Sequence, residues 1–274
     1  MEESRSTKFA DRLSTSTWEE VPRAGQKYSS EKLFCHGYDL LQLMEKRNFV
    51  DVLFLILRGE LPSAAQKCLL NRLLVGFCTP GPRHPSSRAV MNAAASGTFN
   101  QHLLPIGLNL CSGEQHGAVE TEKASRFIAR NLKRDTKELA LKLSEAHCAA
   151  NPELGIEFSP APGFGSLYGS TDLRAEKTLN VLRESEGAGS ALEWASAFSD
   201  ALHLHGGGIL PCGVFAAASL DLGLHRRATG GLFQLASLPG LLSHAVEMGN
   251  KSIADIPFLD DQAYTQRPPS GAAR

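Results

Sequence analysis

The side chains in this chain that could do chemistry are its cysteines, histidines and acids, and few are spaced as a site. The six cysteines, at positions 35, 68, 78, 111, 148 and 212, include no Cys-x-x-Cys pair and no zinc-type Cys/His spacing. Most fall inside apolar periodic segments, so free thiols packed in a core and a reducing, cytoplasmic setting are expected. His203-Leu204-His205-Gly206-Gly207-Gly208 puts two imidazoles on alternate residues, which would share a face on a strand. With no third Cys, His or acid nearby in sequence, a cleft-lining loop is favoured and no metal is expected. Asp260 and Asp261 read as a solvated turn, and the Ala/Leu/Val stripe over 213–223 reads as core rather than as an acyl-chain tunnel.

The elements that must position these groups read as helices. The 274 residues suffice for one compact unit or two unequal domains, and 42% hydrophobic with 21% charged residues is ordinary for a soluble globular protein. A formal net charge of −1 gives no general attraction to nucleic acid or anionic lipid. The N-terminus carries acids and no apolar core of a secretory signal, and no apolar run reaches the roughly 20 residues of a membrane span. Residues 1–30, rich in Ser, Thr, Lys and Glu, predict a flexible arm. From Tyr38 apolar residues recur every three or four positions through Ile56. Gly59-Glu60-Leu61-Pro62-Ser63 then ends one helix and starts another. Helical patterns follow over 63–78, 86–97, 101–111, 120–132, 135–149, 174–186, 189–204, 212–223, 226–237 and 238–249, with no convincing strand. An all-α protein is predicted, with a frayed tail over 266–274.

Several segments together resemble one family. Gly37-Tyr38-Asp39-Leu40-Leu41, Phe49-Val50-Asp51-Val52-Leu53 and Leu57-Arg58-Gly59-Glu60-Leu61-Pro62 are similar to the opening helices of citrate synthases and citryl-CoA lyases. His84-Pro85-Ser86-Ser87-Arg88-Ala89-Val90 resembles that family's helix-starting motif, and Leu110-Cys111-Ser112-Gly113-Glu114-Gln115-His116-Gly117-Ala118-Val119-Glu120 its His-Gly-Gly loop, with no role read for Glu120. Gly163-Phe164-Gly165-Ser166, Asp172-Leu173-Arg174, Leu220-Asp221-Leu222-Gly223 and Asp260-Asp261-Gln262-Ala263-Tyr264 follow in the family's order, the last leaning towards the lyase branch. The resemblance implies a large helical domain, here 31–117 and 210–265, and a small helical domain, 118–209, closing over a cleft. It also implies a homodimer and a site for coenzyme A as an acyl-CoA or citryl-CoA-like thioester.

Claisen chemistry at a thioester needs a base for an α-proton, a donor to the enol oxygen and an acid for the ketone oxygen. By resemblance His116 stabilises the enol, and Gly113, Gly117, Gly163 and Gly165 bring backbone close to CoA. Ser166 then stands where the family has its acidic histidine, and Cys212 where it has its carboxylate. Ser237 replaces an arginine that grips citrate, Gly81 a histidine for which His84 is a possible stand-in, and Arg174 persists. Serine is no general acid near neutral pH, and a protonated thiol is no base. Three readings result. One is carbon–carbon bond making or cleavage with a substrate other than oxaloacetate. Another is a catalytically degenerate CoA-ester-binding or dimer-partner paralogue. A third is acyl transfer or thioester hydrolysis by a Cys212/His116 pair.

Overall fold

The computed structural model describes residue 9 and residues 11–151 and 157–265. It opens on an antiparallel sheet, β1 (Trp18–Arg23), β2 (Gln26–Cys35) and β3 (Tyr38–Asp39). Eleven α-helices dominate the rest of the described chain. The first five are α1 (Leu40–Lys46), α2 (Phe49–Arg58), α3 (Ala64–Gly76), α4 (Pro85–Ala95) and α5 (Asn100–Cys111). Then come α6 (Ala118–Asn131), α7 (Thr136–Ala150), β4 (Phe158–Ala161), β5 (Phe164–Ser166), α8 (Leu173–Arg183) and α9 (Ser190–His203). The chain continues through β6 (Gly208–Ile209), α10 (Pro211–Asp221), α11 (Arg226–Gly249) and a 3-10 turn at Ile253–Asp255. The fold is all-α, with two small sheets ordered β1-β2-β3 and β4-β5-β6.

The first sheet corrects the arm expected over 1–30, for its residues 18–30 are paired strand. Arg23 pairs with Gln26 across Ala24-Gly25, and Gly25 at φ 77 supplies the left-handed turn residue. The register shifts on both sides of Pro22, so the proline sits at an irregularity where no ladder donor is needed. Both faces of this hairpin are largely exposed, so it lacks the apolar alternation that announces a strand. The tail expected to fray over 266–274 lies outside the described residues.

The helix starts follow from their caps. Asn48 and Asp51 form a reciprocal capping box at α2, and Ser63 and Gln66 form another at α3. Gly59, at φ 78, ends α2 as its sequence predicts. A second correction concerns α11, expected as two helices over 226–237 and 238–249 and found as one. Pro239 sits inside it, and the freed N–H of Gly240 leaves the helical ladder and donates to the Cys78 carbonyl at 2.8 Å. A Cβ on Gly240 would lie 2.6 Å from the Thr79 Cα, so only glycine lets the 77–84 loop dock there.

One continuous core joins α3 and α6 to α8–α11, running through Leu69, Leu73, Ile128, Leu179, Phe198, Phe215 and Phe233. It therefore crosses both boundaries, 117/118 and 209/210, at which the resemblance divides the chain. Trp194 and Phe198 stack at 4.9 Å, and Phe164 of β5 packs edge-on against Phe198 at 4.8 Å, which fixes the small sheet to α9. A second cluster, with Val90, Leu103 and Leu241, joins α4 and α5 to α11.

Candidate active-site cleft

Between the 77–84 loop, the start of α8 and the starts of α6 and α10 lies a cleft of about 430 Å³. That is within the usual range for small-molecule sites. His84, His116, Arg174, Cys212 and Ser237, far apart in sequence, all line it. Ser166 does not: its hydroxyl is buried on β5 with no partner among the described residues, and the following Leu167 faces the cleft instead.

The four glycines expected at the thioester do not line the cleft either. A Cβ on Gly117 would lie 2.6 Å from the Gly113 nitrogen and 2.7 Å from the Cys111 carbonyl, and one on Gly163 would lie 2.7 Å from the Gly213 Cα. Gly165, at φ 151, would drive its Cβ into the Phe158 carbonyl. Gly113 is only loosely crowded, with its nearest contact at 3.5 Å. Tight backbone packing thus accounts for Gly117, Gly163 and Gly165.

His116 is held in an unusual way. Its φ of 58 lies in the left-handed region that disfavours residues with a Cβ. Two contacts hold it. Its N–H donates to Glu120 Oε2 at 2.6 Å, and its carbonyl lies 3.1 Å from His84 Nε2. His84 in turn caps α4: its Nδ1 accepts from the Ser86 N–H at 3.2 Å and lies 2.6 Å from the Ser86 hydroxyl. An acceptor at Nδ1 and a carbonyl at Nε2 define the neutral tautomer with the proton on Nε2. Burial likewise lowers the His84 pKa. Both ring nitrogens are therefore engaged, and His84 holds the His116 loop rather than offering a free donor to substrate. The expected stand-in role is corrected accordingly. Gly81 could not carry a histidine easily, because its φ of 86 lies in the left-handed region that disfavours residues with a Cβ.

Glu120 is the residue that sequence reasoning missed. It is buried on the first turn of α6, where Oε1 also accepts from the Gly163 N–H at 3.3 Å, so one carboxylate clips the His116 loop to the β4–β5 turn. It lines a second hollow of about 260 Å³ that shares His116 and Leu167 with the cleft. A sequence signal existed. An acid three residues after the glycine N-cap Gly117 is placed to bond back onto the preceding backbone, as in a capping box.

Cys212, on the first turn of α10, is buried, and its thiol donates to the Gly117 carbonyl at 3.6 Å. Burial pushes its pKa well above the ordinary thiol value, and the nearby Glu120 carboxylate pushes it further the same way. The thiol is thus neither a base nor a ready nucleophile. Ser237 donates to the Phe233 carbonyl at 3.0 Å within α11 and is spent on its own helix. Arg174 reaches over the cleft from α8 to the carbonyl of Thr79 at 3.2 Å. Arg83, also unremarked in the sequence, lines the same side. His203 is at the end of α9, not on a strand, and its Nε2 lies 2.9 Å from Glu176 Oε1. Among the described residues no group of three or more His, Cys, Asp or Glu could hold a metal ion, and no helix is long and apolar enough to cross a membrane.

Fold and cleft together define the class: an all-α protein whose helices enclose a cleft lined by histidine and arginine. The chain belongs to the citrate synthase and citryl-CoA lyase superfamily. It overlays a citryl-CoA lyase from Hydrogenobacter thermophilus with a TM-score of 0.73 and 25% identity, over 94% of this chain and 96% of that one. It overlays an ATP citrate lyase from Methanothrix soehngenii, in complex with citrate and coenzyme A, with a TM-score of 0.68 and 15% identity, over 95% of this chain and 44% of that one. A citrate synthase from Thermotoga maritima MSB8 has the same fold at a TM-score of 0.50 and 12% identity, over 96% of this chain and 97% of that one. No protein-family model matches the chain, and no curated protein sequence matches it.

Proposed function

We propose that the chain binds a CoA thioester and makes or breaks a carbon–carbon bond at its α-carbon, with a partner substrate other than oxaloacetate. The observation that carries this reading is the convergence of His116, Arg174 and the Cys212 position in one cleft, on a chain that overlays a citryl-CoA lyase over nearly its whole length. His116, between the cleft and the Glu120 hollow, is the group to meet the enol oxygen. A citrate-type substrate is disfavoured because Cys212 and Ser237 offer no charge where its carboxylates need one. The protein is proposed to act as a homodimer, and the apolar side chains of Leu41, Met44 and Phe49, each about 70% exposed, are surface that a second copy would cover.

A second reading, a CoA-ester-binding paralogue without turnover, is favoured by one observation. Among the described residues the only carboxylate lining the cleft, Asp172, is occupied as the N-cap of α8, accepting from the Ala175 N–H at 2.9 Å. The burial of Cys212 leaves the acyl-transfer reading without its nucleophile. A panel of acyl-CoA esters, with and without keto acids, assayed for free CoA release on wild type and His116→Ala separates these readings. The proposed enzyme releases CoA from at least one pair and loses this with His116→Ala while CoA affinity persists. Binding without release selects the paralogue, and no CoA binding in calorimetry refutes both.

A further inference from the structure

The cleft is polarised from end to end. At its rim stand two exposed guanidiniums, Arg83 and Arg174, and neither forms an ion pair among the described residues. They converge on one stretch of backbone, since Arg174 bonds the Thr79 carbonyl and its Nη1 comes within 3.7 Å of where a Gly81 Cβ would sit, two residues before Arg83. The floor is the opposite. Phe77, Phe233, Cys212 and Ser237 are each at most 8% exposed. The thiol is protonated and the hydroxyl is bonded within its own helix, so among the described residues the floor offers neither a cation nor a free donor.

Two guanidiniums against one carboxylate, that of Asp172 held as the α8 N-cap, leave the mouth positive and attract an anionic group, and a buried, aromatic floor rejects a second one. We infer that the cleft takes a monocarboxylic acid with an apolar remainder, its carboxylate on Arg83 and Arg174 and its alkyl or aryl group against Phe77 and Phe233. Resting on the function proposed above, this acid is a 2-oxo acid, the ketone partner of the CoA thioester. The reversal of polarity relative to a site for citrate comes from the uncharged pair Cys212 and Ser237, and Arg83 becomes a specificity-determining residue. An acid with a second carboxylate would bury that charge unpaired on the floor and bind at least about a hundredfold more weakly.

The test is calorimetry of the whole chain, with and without saturating CoA, against 3-methyl-2-oxobutanoate, pyruvate, 3-methylbutanoate and oxaloacetate. The branched oxo acid is expected to bind tighter than pyruvate and far tighter than oxaloacetate. Arg83→Gln and Arg174→Gln, both at exposed side chains, should each weaken it by about tenfold to a hundredfold with unchanged circular dichroism. Oxaloacetate binding as tightly as the branched acid, indifference to both arginine variants, or no acid binding at all overturns the inference. The CoA arm keeps the two proposals apart. CoA binding without acid preference sinks this inference alone, and acid preference without CoA binding sinks the proposed function alone. If 3-methylbutanoate matches its oxo analogue, the oxo-acid assignment falls.

Discussion

Glu120→Gln tests whether a buried carboxylate, rather than the loop's own preference, holds His116 in place. Two N–H donors depend on Glu120, His116 at 2.6 Å and Gly163 at 3.3 Å, and at 9% exposure water cannot replace it. Glutamine keeps one acceptor oxygen and turns an NH₂ towards the other donor. The oxygen should stay on the shorter bond to His116, leaving the Gly163 N–H facing a donor. A buried hydrogen bond to a charged group is worth about 1.5–3 kcal/mol, and an orphaned donor costs about 1–3 kcal/mol. Against this, removing a buried charge returns part of its desolvation cost. The net expectation is a loss of about 2 kcal/mol, or roughly 4–8 °C in Tm for a chain of this size. Urea unfolding should show a lower midpoint at unchanged m, and Glu120→Ala, which orphans both donors, should lose more. A Glu120→Gln protein within about 0.5 kcal/mol of wild type would show that the carboxylate is no clamp and that His116 holds its φ of 58 without it.

Further predictions concern packing, protonation and reactivity. Gly240→Ala should cost about 2 kcal/mol or more, because its Cβ would meet the Thr79 backbone at 2.6 Å, whereas Gly231→Ala, with nothing within 4 Å, should gain about 0.5–1 kcal/mol; unfolding curves of both check this. His84, with its folded pKa lowered by burial, binds its proton less readily in the folded than in the unfolded protein. Its stabilising effect is therefore full above the unfolded value of about 6.5 and is lost as pH falls below it, by up to about 1.4 kcal/mol per pH unit. His84→Asn should flatten that part of the stability–pH curve. Iodoacetamide should modify exposed Cys78 and Cys148 quickly in the native protein and leave buried Cys212 and Cys111 unmodified, as read by peptide mass spectrometry.

The helices were legible because they depend on local rules: caps at Asn48 and Ser63, a stop at Gly59, and periodic apolar faces. The N-terminal hairpin was not, because its two exposed faces leave no period-two apolar pattern to read. Pro239-Gly240 read as a break because the sequence cannot show that Cys78 takes the donor the break releases. At the site, His116, Arg174, Cys212, Ser237 and His84 were placed together by resemblance, and the structure does bring them to one cleft. Their roles were less visible. The fate of each polar atom is set by partners distant in sequence, as with His84 on the His116 carbonyl. Glu120 was hidden for the same reason: in the run Val119-Glu120-Thr121-Glu122-Lys123 it looks like any solvated helix acid, and only the docking of the β4–β5 turn turns it inward.

The bond from Gly240 to Cys78 gives the cleft a stiff side and a yielding one. Because the 77–84 loop is anchored to the middle of a 24-residue helix, that wall cannot swing away without breaking the backbone bond from Gly240 to Cys78. Arg174 adds only side-chain links, to the Thr79 carbonyl of the same loop at 3.2 Å and to the Gly76 carbonyl at the end of α3 at 3.5 Å, which a rotamer change releases. Motion to admit the thioester proposed above is therefore expected at the start of α8 and the segment ahead of it, where Leu167 and Tyr168 line the mouth. On that expectation, hydrogen exchange on CoA addition should slow more at 167–174 than at 78–84.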